Sequence, residues 1–272
     1  MAAFAHFILT PFNLRYAPDD ARPHDPSWLA HRFALFERYT LPSVAGQTRQ
    51  DFTWLVFFDA ATPAPFRQRA EGYRGQANLE PCFVEALPLE HVRALLRERI
   101  PPGTEYVMTT RLDNDDLLAR DFVASVRAHA RPHEGFFLNF DHGLIVRGEK
   151  VYAARRTSNA FLTLVEPVAT MRTVWCRPHR RVAEVGPVVR LATPPMWGQV
   201  VHGQNLYNRV VDCWRVPRRL LLERFAIADD VPVRERDWAV QAEAAWNRTV
   251  MACRDILRRV RDGVRGRVPS RE

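Results

Sequence analysis

The sequence predicts an α/β fold, Rossmann-like, with a mixed central sheet, helices on both faces and a long C-terminal helix. Three observations predict it. Apolar runs alternate with helical spacings up to Asp113, a β-α-β-α-β-α-β order that requires parallel strands and right-handed crossovers. From Gly135 to Ala192 strands follow one another closely, which makes the sheet mixed. From Arg234 onward, Trp238, Ala242, Ala245, Val250, Cys253, Leu257, Val260 and Val264 form one stripe of a long helix, expected to pack on the sheet domain. The expected division is a main domain over residues 1–228 and a C-terminal helix with a basic tail over residues 229–272.

The first strand is Phe4 to Leu9, an apolar run without a breaker that ends at Thr10-Pro11-Phe12-Asn13-Leu14-Arg15. Asp25-Pro26 starts a helix, Asp as N-cap and Pro in the first turn, with Leu29, Phe33, Phe36 and Thr40 on one face. Pro42 should kink or restart it. Phe52 to Phe58 is a continuous apolar run, as in a strand buried on both faces, and ends at Asp59. Thr62-Pro63 is expected to cap a helix carrying Phe66, Ala70 and Tyr73. A strand from Leu79 to Ala86 follows, then a helix through Leu89, Val92, Leu96 and Ile100, closed by Pro101-Pro102-Gly103. Phe122, Val123, Val126 and Ala130 mark another helix. In the second half, Gly135–Phe140 and Leu144–Ala153 read as strands about an Asp141-His142-Gly143 turn. Phe161–Val165 is a strand end, and Val182–Ala192 offers one or two short strands.

The centre of the chain is the stretch from Glu105 to Leu118. It begins as a strand and ends in Asp113, Asp115 and Asp116, three carboxylates within four residues. Crowded carboxylates raise one another's cost of ionisation, so a cation is expected among them. Hard divalent cations take oxygen ligands, and Mg²⁺ binds one or two carboxylates together with substrate phosphates. The expectation is a metal–diphosphate site, Mn²⁺ or Mg²⁺, at a strand's C-terminal edge, where open α/β sheets bind ligands. A turn and a helix N-terminus would also favour these residues. The crowding further predicts that removing Asp115 leaves the unligated protein no less stable. His202 sits between an apolar strand and a glycine turn, a position that aims a side chain into a cleft. In the loop after the first strand, Phe12 could stack on a base, Asn13 could hydrogen-bond it and Arg15 could reach phosphate, although an ordinary strand-to-helix loop has the same residues.

The composition narrows the classes. The chain has 272 residues and is 47% hydrophobic, enough for a real core. No apolar run reaches the ~18 residues of a membrane span. Met1 to Leu9 lacks a basic leader, so it reads as a strand and not as a signal peptide, and a cytoplasmic protein is expected. Cys82, Cys176, Cys213 and Cys253 lack metal spacing and are expected as reduced thiols. The net charge of +8 is almost all arginine, Lys150 being the only lysine, and reads as a basic solvated surface. Nucleic acid is not expected as a partner, because the aromatics fall in apolar runs. The arginines of residues 254–267 could touch an anionic membrane from its inner face, or simply favour a helix C-terminus.

These residues resemble a family. Thr10-x-Phe12-Asn13-x-Arg15, Tyr39-Thr40-Leu41-Pro42-Ser43, Phe52 to Asp59, Thr110 to Asp116, Met196-Trp197 and Val201-His202-Gly203-x-Asn205 look like the rhamnosyltransferases related to glycosyltransferases of the A-type fold. The resemblance covers roughly residues 4 to 210. It implies a nucleotide-diphospho-sugar donor, a glycan or glycolipid acceptor and an A-type fold. It also implies that Asp113, Asp115 and His202 hold the metal or diphosphate. Thr10, Phe12, Asn13, Arg15, Asp59, Arg111 and Asp116 would line the nucleotide-sugar pocket. An inverting enzyme also needs a carboxylate to accept the acceptor's proton. Glu166, Glu184 and Asp141 are candidates, with Glu166 preferred because it ends an apolar strand.

Two other classes compete. A nucleotidyltransferase shares the strand–carboxylate logic, but its first strand would usually lead into a glycine-rich loop, and Thr10 to Arg15 has no glycine. A basic nucleic-acid-binding protein fits the charge alone.

Overall fold

The structure, a computed structural model, describes residues 3–15, 20–203, 210–228 and 235–265, with side chains in the last helix up to Arg254 and at Ile256. The first half alternates as the spacing predicts. Strand β1 (Phe4–Pro11) leads to helix α1 (Pro26–Leu35), whose Asp25 side chain accepts from the Trp28 N–H (2.8 Å). A π-helical turn at Phe36–Thr40 joins α1 to α2 (Leu41–Ala45). The cause is Pro42: it has no N–H to give the Arg38 carbonyl, four residues back. That carbonyl instead accepts from Ala228 N–H (2.9 Å). Strand β2 (Thr53–Asp59), helix α3 (Ala64–Glu71), strand β3 (Leu79–Val84), helix α4 (Leu89–Arg97) and strand β4 (Tyr106–Arg111) follow. Thr62 does not cap α3; its hydroxyl turns back to the Asp59 carbonyl (2.6 Å).

After β4 the chain enters a second sheet. The short strand β5 (Leu117–Leu118) precedes α5 (Phe122–His129) and β6 (Phe136–Phe140). The expected strand at 144–153 is a hairpin of β7 (His142–Arg147) and β8 (Lys150–Arg155), turning at Gly148, whose φ is +56°. Strand β9 (Thr163–Pro167), β10 (Val188–Leu191), β11 (Trp197–Val200) and β12 (Cys213–Val216) complete the strands, with α6 (Arg219–Arg224) and α7 (Asp237–Arg265) at the end. Of the one or two short strands expected in Val182–Ala192, one forms, β10; Val182 to Glu184 belong instead to a 3-10 turn, His179–Glu184.

The large sheet has the order β10-β6-β9-β4-β1-β2-β3. Strands β1 to β4 are parallel and β9 is antiparallel, so the sheet is mixed as expected. The small sheet, β12-β8-β7-β11-β5, was not foreseen as separate. Asp113–Asp116 is the connection between the two, leaving β4 and entering β5. Trp197 fixes the junction. It pairs with both Leu118 and Gly143, stacks on Phe161 (5.2 Å) and donates Nε1–H to the Phe140 carbonyl (2.8 Å). A Cβ on Gly143 would lie 2.0 Å from the Trp197 ring, so only glycine fits there.

Of the apolar stripe expected to seat α7, Trp238, Ala242, Ala245 and Cys253 are exposed and Val250 is half-buried, while Leu257, Val260 and Val264 lie outside the side chains described; among the described residues of the helix the buried positions are Val240 and Ala244. All four cysteines are unpaired. No helix among the described residues is long and apolar enough to cross a membrane.

Candidate active site

Two adjoining regions form at the C-terminal edge of β1 to β4. The first is a cavity of about 450 Å³, walled in part by Arg15, Asp59, Glu85, Arg111, Trp175 and Arg177. Asp59 ends β2 and is held by Arg15 (3.1 Å), with His24 Nε2 also 3.1 Å away. Burial resists ionisation of Asp59, but the Ala61 N–H, Arg15 and His24 outweigh it and hold the carboxyl below its ordinary range. Trp175 packs edge-on against Phe57 (5.5 Å) and presents its remaining surface to the cavity.

The second region is the carboxylate connection. Asp113 pairs with Arg111 (3.2 Å) at its rim. Asp115 is buried and its Oδ2 takes His202 Nε2 (2.9 Å) and Arg32 Nη1 (3.0 Å). Burial works against its ionisation, and these two partners overcome it and lower its pKa. Arg32 also donates to Asn114 Oδ1, and its Nη1 lies 3.2 Å from His202 Nε2. His202 Nδ1 faces His31 Nε2 (3.1 Å). A hydrogen-bond chain from His31 through His202 to Asp115 satisfies all three when Nε2–H of each histidine donates. Burial first, then the neighbouring His202 and Arg32, push His31 below its ordinary pKa.

Asp116 lies deeper. Its Oδ1 accepts from Val200 N–H (3.1 Å), and its Oδ2 is buried without a partner. Burial, then the charges of Asp115 and Asp113, raise its pKa well above the usual carboxylate value.

These contacts bear on the expected metal. Asp115 and His202 are near enough to share an ion, but the Arg32 guanidinium already stands against both. Among the described residues no three His, Cys, Asp or Glu side chains converge, and Asp113 turns to Arg111. As arranged, the donor set does not fit a divalent cation; the positive charge beside Asp115 is an arginine.

Arg15, Asp59 and Arg111 reach the cavity wall; four other expected lining residues do not. Phe12 is not free to stack on a base: it is buried against Phe33 (4.5 Å), Phe58 (4.6 Å) and Phe36 (5.4 Å). Asn13 is buried and ties the loop together, donating to Pro23 O and Thr62 Oγ1 (both 3.0 Å). Thr10 is buried and accepts from Trp54 Nε1–H (2.9 Å). Asp116 lies beneath the connection. Asn205 falls outside the described residues.

Glu166 is corrected more strongly. Because β9 runs antiparallel to β4, Glu166 pairs with Val107 at the opposite edge of the sheet. It is fully buried and accepts from the N–H groups of Arg172 (3.0 Å) and Thr173 (2.8 Å), so it cannot reach an acceptor hydroxyl. Glu184 is a half-exposed partner of Arg181 (2.9 Å). Asp141, at the end of β6, is the one of the three at the same edge as Asp113. Burial opposes its charge, but Arg190 (2.6 Å), Asn139 and Arg155 hold its pKa low, a poor setting for a base.

Sequence reasoning missed Arg32, His31, Trp175, Arg177 and Glu85. Arg32 was legible: with Leu29, Phe33 and Phe36 it completes an inward i, i+3, i+4, i+7 set. Trp175 and Arg177 lie on irregular chain and leave no such signal.

No curated protein matches the chain. Among solved structures, TarS 1-349 of S. aureus in complex with UDP-GlcNAc aligns at 15% identity, over 75% of this chain and 60% of that one, with a TM-score of 0.45. This chain thus spans less than two thirds of that structure. A structure from Desulfovibrio desulfuricans G20 described as a "putative nucleotide-diphospho-sugar transferase" aligns at 8% identity, over 74% and 81%, with a TM-score of 0.39. A 4-diphosphocytidyl-2C-methyl-D-erythritol synthase aligns at 12%, over 75% and 96%, with a TM-score of 0.40. A family profile described as "Putative rhamnosyl transferase" matches residues 17–212, most of the chain, and the chain belongs to that family.

Proposed function

We propose that the protein transfers a sugar, rhamnose, from a nucleotide-diphospho-sugar to a glycan or glycolipid acceptor. The observation that carries this is the cavity walled by Arg15, Arg111 and Arg177 with Trp175, at the edge where β1 to β4 end. Arginines offer paired donors to phosphate oxygens, and an indole offers a face or edge to a base. Asp59 and Glu85 are acceptors for ribose or base N–H and O–H groups. As the sugar–phosphate bond breaks, negative charge gathers on the departing diphosphate and positive charge on the sugar carbon. Arg111 and Arg32 stand at the carboxylate connection, where prepositioned cations would stabilise that leaving group. In this reading arginine carries the charge that Mn²⁺ or Mg²⁺ was expected to carry. The hydrogen-bonded His31–His202–Asp115 chain keeps Arg32 oriented.

The test is a thermal-shift screen of dTDP-, UDP- and GDP-sugars, with EDTA or with Mn²⁺. A ligand that binds only the folded state raises stability with the logarithm of its concentration over Kd. A dTDP-sugar should raise Tm in EDTA, and Trp175→Ala and Arg32→Ala should each weaken that response. No response to any nucleotide sugar refutes the reading. A response that needs Mn²⁺ and survives Arg32→Ala refutes only the role given to arginine.

A further inference from the structure

Helix α7 is attached by one side and apolar on the other. On the attached side Val240 and Ala244 are buried, and Asn247 Oδ1 accepts from Arg215 N–H (3.1 Å). Glu243 takes Lys150 Nζ and Tyr152 Oη, each at 2.9 Å. On the other side Trp238, Trp246 and Ile256 are 67%, 68% and 60% exposed, three of the five exposed large hydrophobics among the described residues. At about 100° per residue, Trp238 and Ile256 point the same way and Trp246 lies about 80° round. Exposed Ala242, Thr249 and Cys253 fall between them, with Ala245 about 20° beyond Trp238, and no charged residue interrupts the band. From Trp238 to Ile256 the band runs about 27 Å.

The charge on this end of the chain identifies what covers the band. From Arg248 onward the sequence carries eight arginines against Asp255, Asp262 and Glu272. Arg248 and Arg254 are exposed. A helix with tryptophan and aliphatic residues on one face and arginine on the other lies flat in a lipid interface, its apolar face sunk about 5–10 Å. Tryptophan prefers that depth, and each arginine near an anionic surface adds to the attraction. We propose that the Trp238–Trp246–Ile256 face of α7 docks on an anionic lipid surface. A second copy in parallel would set arginine against arginine, whereas anionic headgroups satisfy the apolar band and the charge together. This proposal does not depend on the donor or the reaction.

The test is co-sedimentation of the full chain with vesicles of phosphatidylcholine alone or mixed with phosphatidylglycerol, at low and high salt. Sedimentation equilibrium without lipid accompanies it. Expected is binding to the anionic vesicles only, weakened by salt. The double variant Trp238→Ser/Trp246→Ser should lose at least about tenfold in affinity. Its far-ultraviolet circular dichroism and Tm should stay at the wild-type values, because both side chains are already exposed. Absence of binding to anionic vesicles overturns the proposal, as does a double variant that binds as wild type. A lipid-independent dimer lost in the double variant would also overturn it, since the band would then be an interface between copies.

Discussion

His202 Nε2 lies 2.9 Å from Asp115 Oδ2, joining the end of the small-sheet strand β11 to the connection that leaves β4 of the large sheet. The two side chains are each 7% exposed, and Arg32 from α1 closes on both. Three separate parts of the chain thus meet at one buried carboxylate. The crowding of Asp113, Asp115 and Asp116 is resolved by an arginine, a histidine and one raised pKa.

Asp115→Ala should therefore destabilise the protein. The sequence alone suggested the reverse, because removing one of three adjacent carboxylates relieves repulsion. The structure shows Asp115 as the partner of Arg32, whose side chain is 13% exposed. Breaking a buried pair by removing one member costs about 3–5 kcal/mol, since the other charge is left uncompensated. Urea unfolding should show a loss of about 3 kcal/mol, with part of it recovered in Arg32→Met/Asp115→Ala. An unchanged midpoint for Asp115→Ala would show that Arg32 finds water instead.

Asp116→Asn should stabilise. The native carboxyl is raised by burial and by Asp115 and Asp113, while the unfolded carboxyl ionises near its ordinary value of 3.8. Above that pH the unfolded chain gives up a proton that the native state keeps, so this group's contribution falls as pH rises. Asparagine keeps the acceptor for Val200 N–H and removes the titration. A rise in Tm of at least about 2 °C is expected at neutral pH. The gain should shrink as pH falls through 3.8 and vanish well below it, where aspartic acid is neutral in both states. Scanning calorimetry across that range checks it, and a lowered Tm at pH 7 would mean that Oδ2 has a partner as a carboxylate.

The parallel half of the fold was legible because β1 to β4 and their helices are each specified by local runs, periodicity and breakers. The small sheet was not. Apart from the β7–β8 hairpin, its strands pair across long separations, Leu118 with Trp197 and Gly143 with Trp197, and no local pattern records such a choice. The acidic connection was visible as a cluster. Which cation answers it was hidden, because Arg32 lies 83 residues from Asp115. Phe12 and Asn13 were misread because an aromatic and an amide after a strand suit either a pocket or the packing beneath it. The α7 stripe was found correctly and turned to the wrong side, since amphipathicity does not say which face meets the protein.

Gly143→Ala should be among the most damaging small substitutions. The added methyl would meet the Trp197 ring at 2.0 Å, and that ring is pinned by its bond to Phe140 O and its stack on Phe161. Overpacking of a tight core typically costs about 1–3 kcal/mol, and a pinned neighbour places this case at the upper end. Chemical denaturation of the variant measures it. A cost below about 0.5 kcal/mol, the range of an unremarkable surface change, would show that β11 can slide away from β7.

His6 should govern part of the acid response. It is buried on β1, and its Nε2 meets Thr110 Oγ1 on β4 (2.8 Å), which in turn meets Thr163 Oγ1 on β9 (2.7 Å). Its Nδ1 has no partner. Burial lowers its pKa from 6.5 to about 3. Between those values the unfolded chain binds a proton that the native state refuses, so stability falls as pH drops from 6.5 towards 3. The slope from this residue is about 1.4 kcal/mol per pH unit. Above 6.5 His6 contributes no dependence, because both states are neutral. His6→Gln keeps a polar group for Thr110 and cannot titrate. It should cost some stability at pH 7, yet the gap to wild type should narrow as the pH is lowered to 4.5. Urea midpoints at pH 7, 6, 5 and 4.5 decide it: a gap that stays constant with pH would mean that the imidazole is charged in the native state or that water reaches it.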